Sequence, residues 1–117
     1  TPDRTKQQLA HQRLALEALL EDSPRRQQQI AHLLGSHGLN AQPLIESAPP
    51  ADRVPLSGVI PICAAEIHHA IRHEHARAAD DVLSRRCRLG MVDEAEAMRL
   101  QPLVEQALDA AGINPGA

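Results

Sequence analysis

The sequence predicts an all-α fold, a small bundle of four to five helices, and three observations carry that prediction. Apolar residues recur at three- and four-residue spacing through most of the chain, as in Leu9, Leu16, Leu19 and Leu20, or Leu100, Leu103, Val104, Ala107 and Leu108. No stretch alternates apolar and polar residues as a half-buried strand would. Alanine supplies much of the 43% hydrophobic content, leaving 29 Leu, Ile, Val and Met side chains, which suffice for a thin helical core.

Taken in order, Thr1-Pro2-Asp3 is a helix start, with a hydroxyl cap, proline in the first turn and an acid at the positive helix end. Ser23-Pro24 repeats that signal, and Ile30, Leu33 and Leu34 mark the buried side of a second helix whose end Gly35 and Gly38 bracket. A short third helix covers Leu39 to Ile45. At about 46–62, Pro49, Pro50, Pro55 and Pro61 with Ser57-Gly58 forbid a helix, so the segment is expected to be an ordered crossover with Val59, Ile60 and Ile62 tucked inward. Cys63-x-x-Glu66 then resembles a capping box with an unusual first residue. From there a central helix is expected to run to Gly90. Asp93-x-x-Glu96 caps a last helix reaching Gly112, where Pro102 should kink or break it.

The length, 117 residues, fits a single helical domain spanning 1–117. Because the first residue is Thr, the chain reads as a piece of a longer polypeptide. A net charge of −3, with acids and bases interleaved, gives no support to a nucleic-acid face. The total lack of Phe, Tyr and Trp removes stacking platforms and membrane-interface anchors. No apolar run approaches the roughly 18–20 residues that cross a bilayer. Cys63 and Cys87 share no metal-ligand spacing and read as reduced thiols. Nucleotide-binding loops and nucleophile elbows are missing as well.

Residues 66–90 hold the chemistry-bearing side chains. On a helical wheel, Ile67, Ile71, Ala78, Val82 and Leu89 form one stripe, and Glu74, Asp81 and Arg85 fall on it too. Charges on an apolar stripe are costly unless paired. Glu74, Arg77, Asp81 and Arg85 are therefore expected to form a structural or docking network, with Arg77 and Arg85 each four residues from Asp81. On another face, Glu66, His69 and His73 suit a metal, because His69 and His73 have i,i+4 spacing; the companion motif of a di-metal bundle is absent.

The run His73-Glu74-x-Ala76-Arg77-x-x-x-Asp81-Val82-Leu83-x-Arg85-Arg86-x-Arg88-Leu89-Gly90 closely resembles the signature of the C-terminal domain of FAD-dependent glycerol-3-phosphate dehydrogenases and alpha-glycerophosphate oxidases. Pro55-Leu56 through Pro61 and Glu66, and His32-Leu33-Leu34-x-x-His37-Gly38, are similar to the stretches before it. Where that family commonly has tyrosine, this chain has His37 and His69. The resemblance implies a non-catalytic accessory domain of a flavoenzyme whose body oxidises sn-glycerol 3-phosphate to dihydroxyacetone phosphate. FAD would then belong to the body, with no catalytic, cofactor or metal residue carried onto this chain; what the resemblance carries over is Glu74, Asp81, Arg85 and Arg86, the signature's charged positions, in a structural or domain-docking role. Its partner would be that catalytic FAD-binding body or a second subunit, with a homo-oligomer left open. The setting would be cytoplasmic or peripheral at the inner membrane through the parent enzyme. Two other readings stand beside it: a free-standing helical interaction module without the oxidoreductase body, and a His/Glu metal-binding bundle.

Overall fold

Pro2–Leu19 forms α1, Arg26–His37 forms α2, and Ala41–Glu46 forms α3, entered through a 3-10 turn at Gly38–Asn40. The computed structural model describes residues 2–86 and 88–113, and the side chains of all of these except residues 2, 3, 5, 85 and 86. Leu16, Leu20, Ile30, Leu33, Leu44 and Ile45 close on one another as a first apolar core, between these three helices. Burying a Leu or Ile side chain of this kind contributes about 1.5–3 kcal/mol. The Ser23-Pro24 signal acts slightly late. The Ser23 carbonyl accepts from Arg26 N at 3.1 Å, so α2 begins at Arg26.

The crossover is ordered for a specific reason: side chains of the helices take up its carbonyls. Arg25 donates to the Ser57 and Gly58 carbonyls at 2.9 and 3.1 Å, Gln29 to Arg53 at 2.6 Å, and Arg99 to Leu56 at 2.8 Å. Arg53, at the end of the 3-10 turn Pro50–Arg53, donates to the Ala48 and Leu19 carbonyls. A segment that cannot form a ladder still has its buried backbone groups paired. Ile62 is buried, and Leu56, Val59 and Ile60 pack against the second core.

Ala64–His73 forms α4, which is shared by both cores. Cys63 and Ala65 belong to the first, whereas Ile67, Ala70 and Ile71 belong to the second, with Leu100, Val104 and Leu108 of α6 (Glu94–Ala110). The two cores in sequence give a molecule of 47 × 27 × 26 Å. Among the described residues six α-helices are present, of which α3 and α5 (Leu89–Val92) are short. The all-α expectation holds.

The expected continuous helix from Cys63 to Gly90 does not form. It ends at His73, and the Ala70 carbonyl accepts both Glu74 N and Ala76 N at 3.1 Å while His75 turns through φ 61°. Glycine usually makes such a turn; histidine is among the few other residues that enter this region. The turn buries Ala76 and Ala79 and lays Val82 and Leu83 onto the second core. Asp81–Arg86 follows as a wide π-type turn, and Arg88, again left-handed at φ 61°, leads into α5. The wheel stripe therefore breaks at Glu74. Gly90 lies inside α5 rather than stopping a helix, and a β-carbon there would collide with Ser84 Oγ.

α6 runs unbroken through Pro102, so the expected break is not seen. Pro102 and Met98 both lie on the exposed side, where water can take up the Met98 carbonyl that the proline leaves unbonded. The Asp93 carboxylate accepts from Glu96 N at 3.1 Å, as the capping spacing predicts.

Two glycines in the first lobe should respond oppositely to alanine. Gly38, at φ 56° and ψ −129°, is in a conformation that side chains resist, so Gly38→Ala should cost about 1–3 kcal/mol. Gly35 lies inside α2, and a β-carbon added there would meet nothing within 4 Å, so Gly35→Ala should stabilise by about 0.5–1 kcal/mol. Urea midpoints of the two variants check the pair; equal shifts would contradict the assignment.

Candidate functional site

The best-built polar group in the molecule is Glu66, in the first turn of α4 and only 5% exposed. Its Oε2 accepts from the Cys63 backbone N–H at 2.8 Å, closing the capping box that the sequence suggested. Its Oε1 accepts from His32 Nε2 at 2.8 Å and His37 Nε2 at 2.9 Å. Both rings therefore carry their proton on Nε2. His32 and His37 both belong to α2, so their shared bond to Glu66 fixes how α2 and α4 meet. Burial alone would raise the Glu66 pKa, but the hydrogen bonds from His32 and His37, with that from Cys63, outweigh it and hold the carboxyl at about 2. Burial, followed by the charge on Glu66, pushes the Cys63 thiol up to about 12, so it behaves as an inert apolar group.

Glu66 is thus turned away from the metal-binding trio expected of Glu66, His69 and His73. What converges is a different set. The His37 and His69 rings meet edge to face with centroids 5.8 Å apart, and His69 Nε2 lies 3.9 Å from Glu74 Oε2. His73 tilts against His69 at 5.1 Å. The two positions where the resemblance leads one to expect tyrosine are therefore neighbours. Burial lowers the His69 pKa, Glu74 opposes the shift, and His37 and His73 add to it. His68, His69, Arg72 and His73 also line an open groove against Ser47, Ala48 and Asp52.

Of the charged residues expected to form a network, Glu74 ends α4 and is half-buried, whereas Arg77 is exposed on the turn that follows. Asp81 meets Arg77 through the backbone: its Oδ2 accepts from Arg77 N at 2.9 Å and Ala78 N at 3.2 Å. An acid reaching back three residues to a free backbone N–H repeats the device at Cys63 and Glu66. The side chains of Arg85 and Arg86 lie outside the described residues. Cys87 does too.

These features define a small all-α domain whose buried polar chemistry ties helices together. Among the described residues no helix is long and apolar enough to cross a membrane. The chain belongs to the family of the C-terminal domain of alpha-glycerophosphate oxidase, whose model matches residues 6–111. Comparison with curated proteins and with solved structures gives no match.

The Glu66 cluster predicts an acid response. The carboxyl's folded pKa, about 2, lies below its ordinary 4.5, so its contribution is complete above about pH 4.5 and is lost as pH falls towards 2. Glu66→Gln should cost about 1.5–3 kcal/mol at neutral pH, and the variant should lose less further stability over that acid interval than the parent. Denaturant titrations across the interval check this; identical slopes in the two proteins would refute it.

Proposed function

We propose that the chain is a non-catalytic accessory domain of an FAD-dependent enzyme that oxidises sn-glycerol 3-phosphate to dihydroxyacetone phosphate, and that it docks on the catalytic body. The family match over residues 6–111 carries this reading. The partner is the FAD-binding body of the same enzyme or of a second subunit, and the chain resides in the cytoplasm or at the inner membrane through that body.

Residues 74–88 are the docking face. The signature run occupies this segment, and here the backbone departs most from regular structure, with left-handed His75 and Arg88 on either side of a π-type turn. Backbone of that kind persists where surrounding contacts require it, and it clusters at functional segments. Glu74, Arg77, Asp81, Arg85 and Arg86 serve this face. Asp81 shapes the turn through the Arg77 and Ala78 backbone, which leaves the Arg77 side chain directed outward for a partner.

Two of the domain's helix starts are closed to a flavin dinucleotide. A dinucleotide's pyrophosphate is commonly held by open N–H groups at a helix N-terminus. At α4 and α6 the chain's own carboxylates, Glu66 and Asp93, take N–H groups there. FAD belongs with the body.

The test is expression of the complete reading frame that encodes this chain. The expected product shows the absorption spectrum of bound flavin and oxidises glycerol 3-phosphate; a product without flavin would overturn the proposal. In that flavoprotein Arg77→Glu should speed proteolytic release of the domain. In the isolated chain the same change should move stability by no more than about 0.5 kcal/mol, as expected of an exposed site. Unchanged release would reject the docking face.

A further inference from the structure

We infer that His37, His69 and Glu74 form a zinc site where the end of α2 meets the last turn of α4. A ring nitrogen of each histidine and a carboxylate oxygen of Glu74 all lie within 4.8 Å of one another. Two imidazoles and one carboxylate are a donor set that holds zinc with a further position open. Zinc bonds of about 2.0–2.2 Å put tetrahedral ligand atoms roughly 3.4 Å apart. The 3.9 Å between His69 Nε2 and Glu74 Oε2 is already near that value. Drawing in the remaining ligand takes side-chain movement on the order of 1 Å.

The surroundings are those of a metal site on three counts. First, His37 donates its Nε2–H to Glu66, which leaves Nδ1 as the ring nitrogen that would ligate. A ligating histidine usually donates its other nitrogen to a carboxylate in this way, which fixes the ring and raises its basicity. Glu66 is itself 5% exposed and held by His32 and the Cys63 N–H, so His37 is the rigid side of the site. Second, Glu74 is the C-cap of α4, and its carboxylate, about a third exposed, already faces His69 at 3.9 Å. Third, the ion would sit beside the carbonyl end of α4, where the helix dipole favours positive charge. The open position is left for water, and the exposed His73 ring tilts against His69 beside the site. This set differs from the Glu66, His69 and His73 trio that helical spacing suggests, because its decisive ligand comes from α2.

The experiment is calorimetric titration of the tag-free 117-residue chain with zinc chloride, with thermal unfolding followed in parallel. The site predicts one saturable equivalent with a dissociation constant on the order of 1 μM or tighter and a melting temperature that rises with zinc. His69→Ala and Glu74→Gln, both at partly exposed positions and checked for helicity by circular dichroism, should each weaken binding by about 100-fold. Glu66→Gln, which removes the group that positions His37, should weaken it about 10- to 100-fold. His68→Ala, on the same helix but outside the site, should leave affinity unchanged. With cobalt in place of zinc, visible bands of a nitrogen- and oxygen-ligated ion should appear and be lost in His69→Ala. Absence of a saturable site, or binding that survives His69→Ala and Glu74→Gln, would overturn the assignment.

Discussion

The Glu66 carboxylate is the constraint on which the arrangement of helices depends. Moving a carboxylate out of water costs several kcal/mol, and the cost is offset only when strong donors replace the water. Here three N–H groups do so: His32 and His37 on one oxygen, Cys63 on the other. Charge-assisted hydrogen bonds of this kind are directional and roughly twice as strong as neutral ones. α2 is therefore held at one register against the first turn of α4. Since α4 contributes side chains to both apolar cores, fixing that turn also fixes the second core relative to the first.

The same device recurs where the chain is least regular. Asp81 reaches back to the Arg77 and Ala78 N–H groups much as Glu66 reaches back to Cys63. At Cys63 the result is an ordinary helix start. At Arg77 it stabilises a turn between two left-handed residues, His75 and Arg88. Chain reversal at His75 folds Val82 and Leu83 onto α4 and α6, so apolar burial opposes the strain of the turn. An outward-facing Arg77 follows from that geometry, because the turn is held by backbone groups rather than by its side chain.

How much of this is legible in the sequence depends on whether the signal is local. Asp93-x-x-Glu96, Cys63-x-x-Glu66 and the prolines of the crossover all act within a few residues, and each produces the expected structure. The break after His73 has no proline or glycine to announce it. Periodicity continues across it because Ala76, Ala79 and Val82 are apolar for the second core, not for a longer α4. Extending the wheel through that point puts Glu74 and Asp81 on a stripe that does not exist. Histidine spacing on α4 is readable, but the partner that matters, His37, arrives from a helix about 30 residues earlier through packing that a linear pattern does not contain. Ala78-x-x-Asp81 carries a readable signal too, once a back-reaching acid is sought without requiring a hydroxyl at the first position.

The central claim, that one carboxylate couples α2 to α4, is tested most directly by a double-mutant cycle of His37→Ala and Glu66→Gln in denaturant unfolding at neutral pH. A coupling of about 1–3 kcal/mol between the two changes is the predicted result. Additivity within about 0.5 kcal/mol would contradict the account.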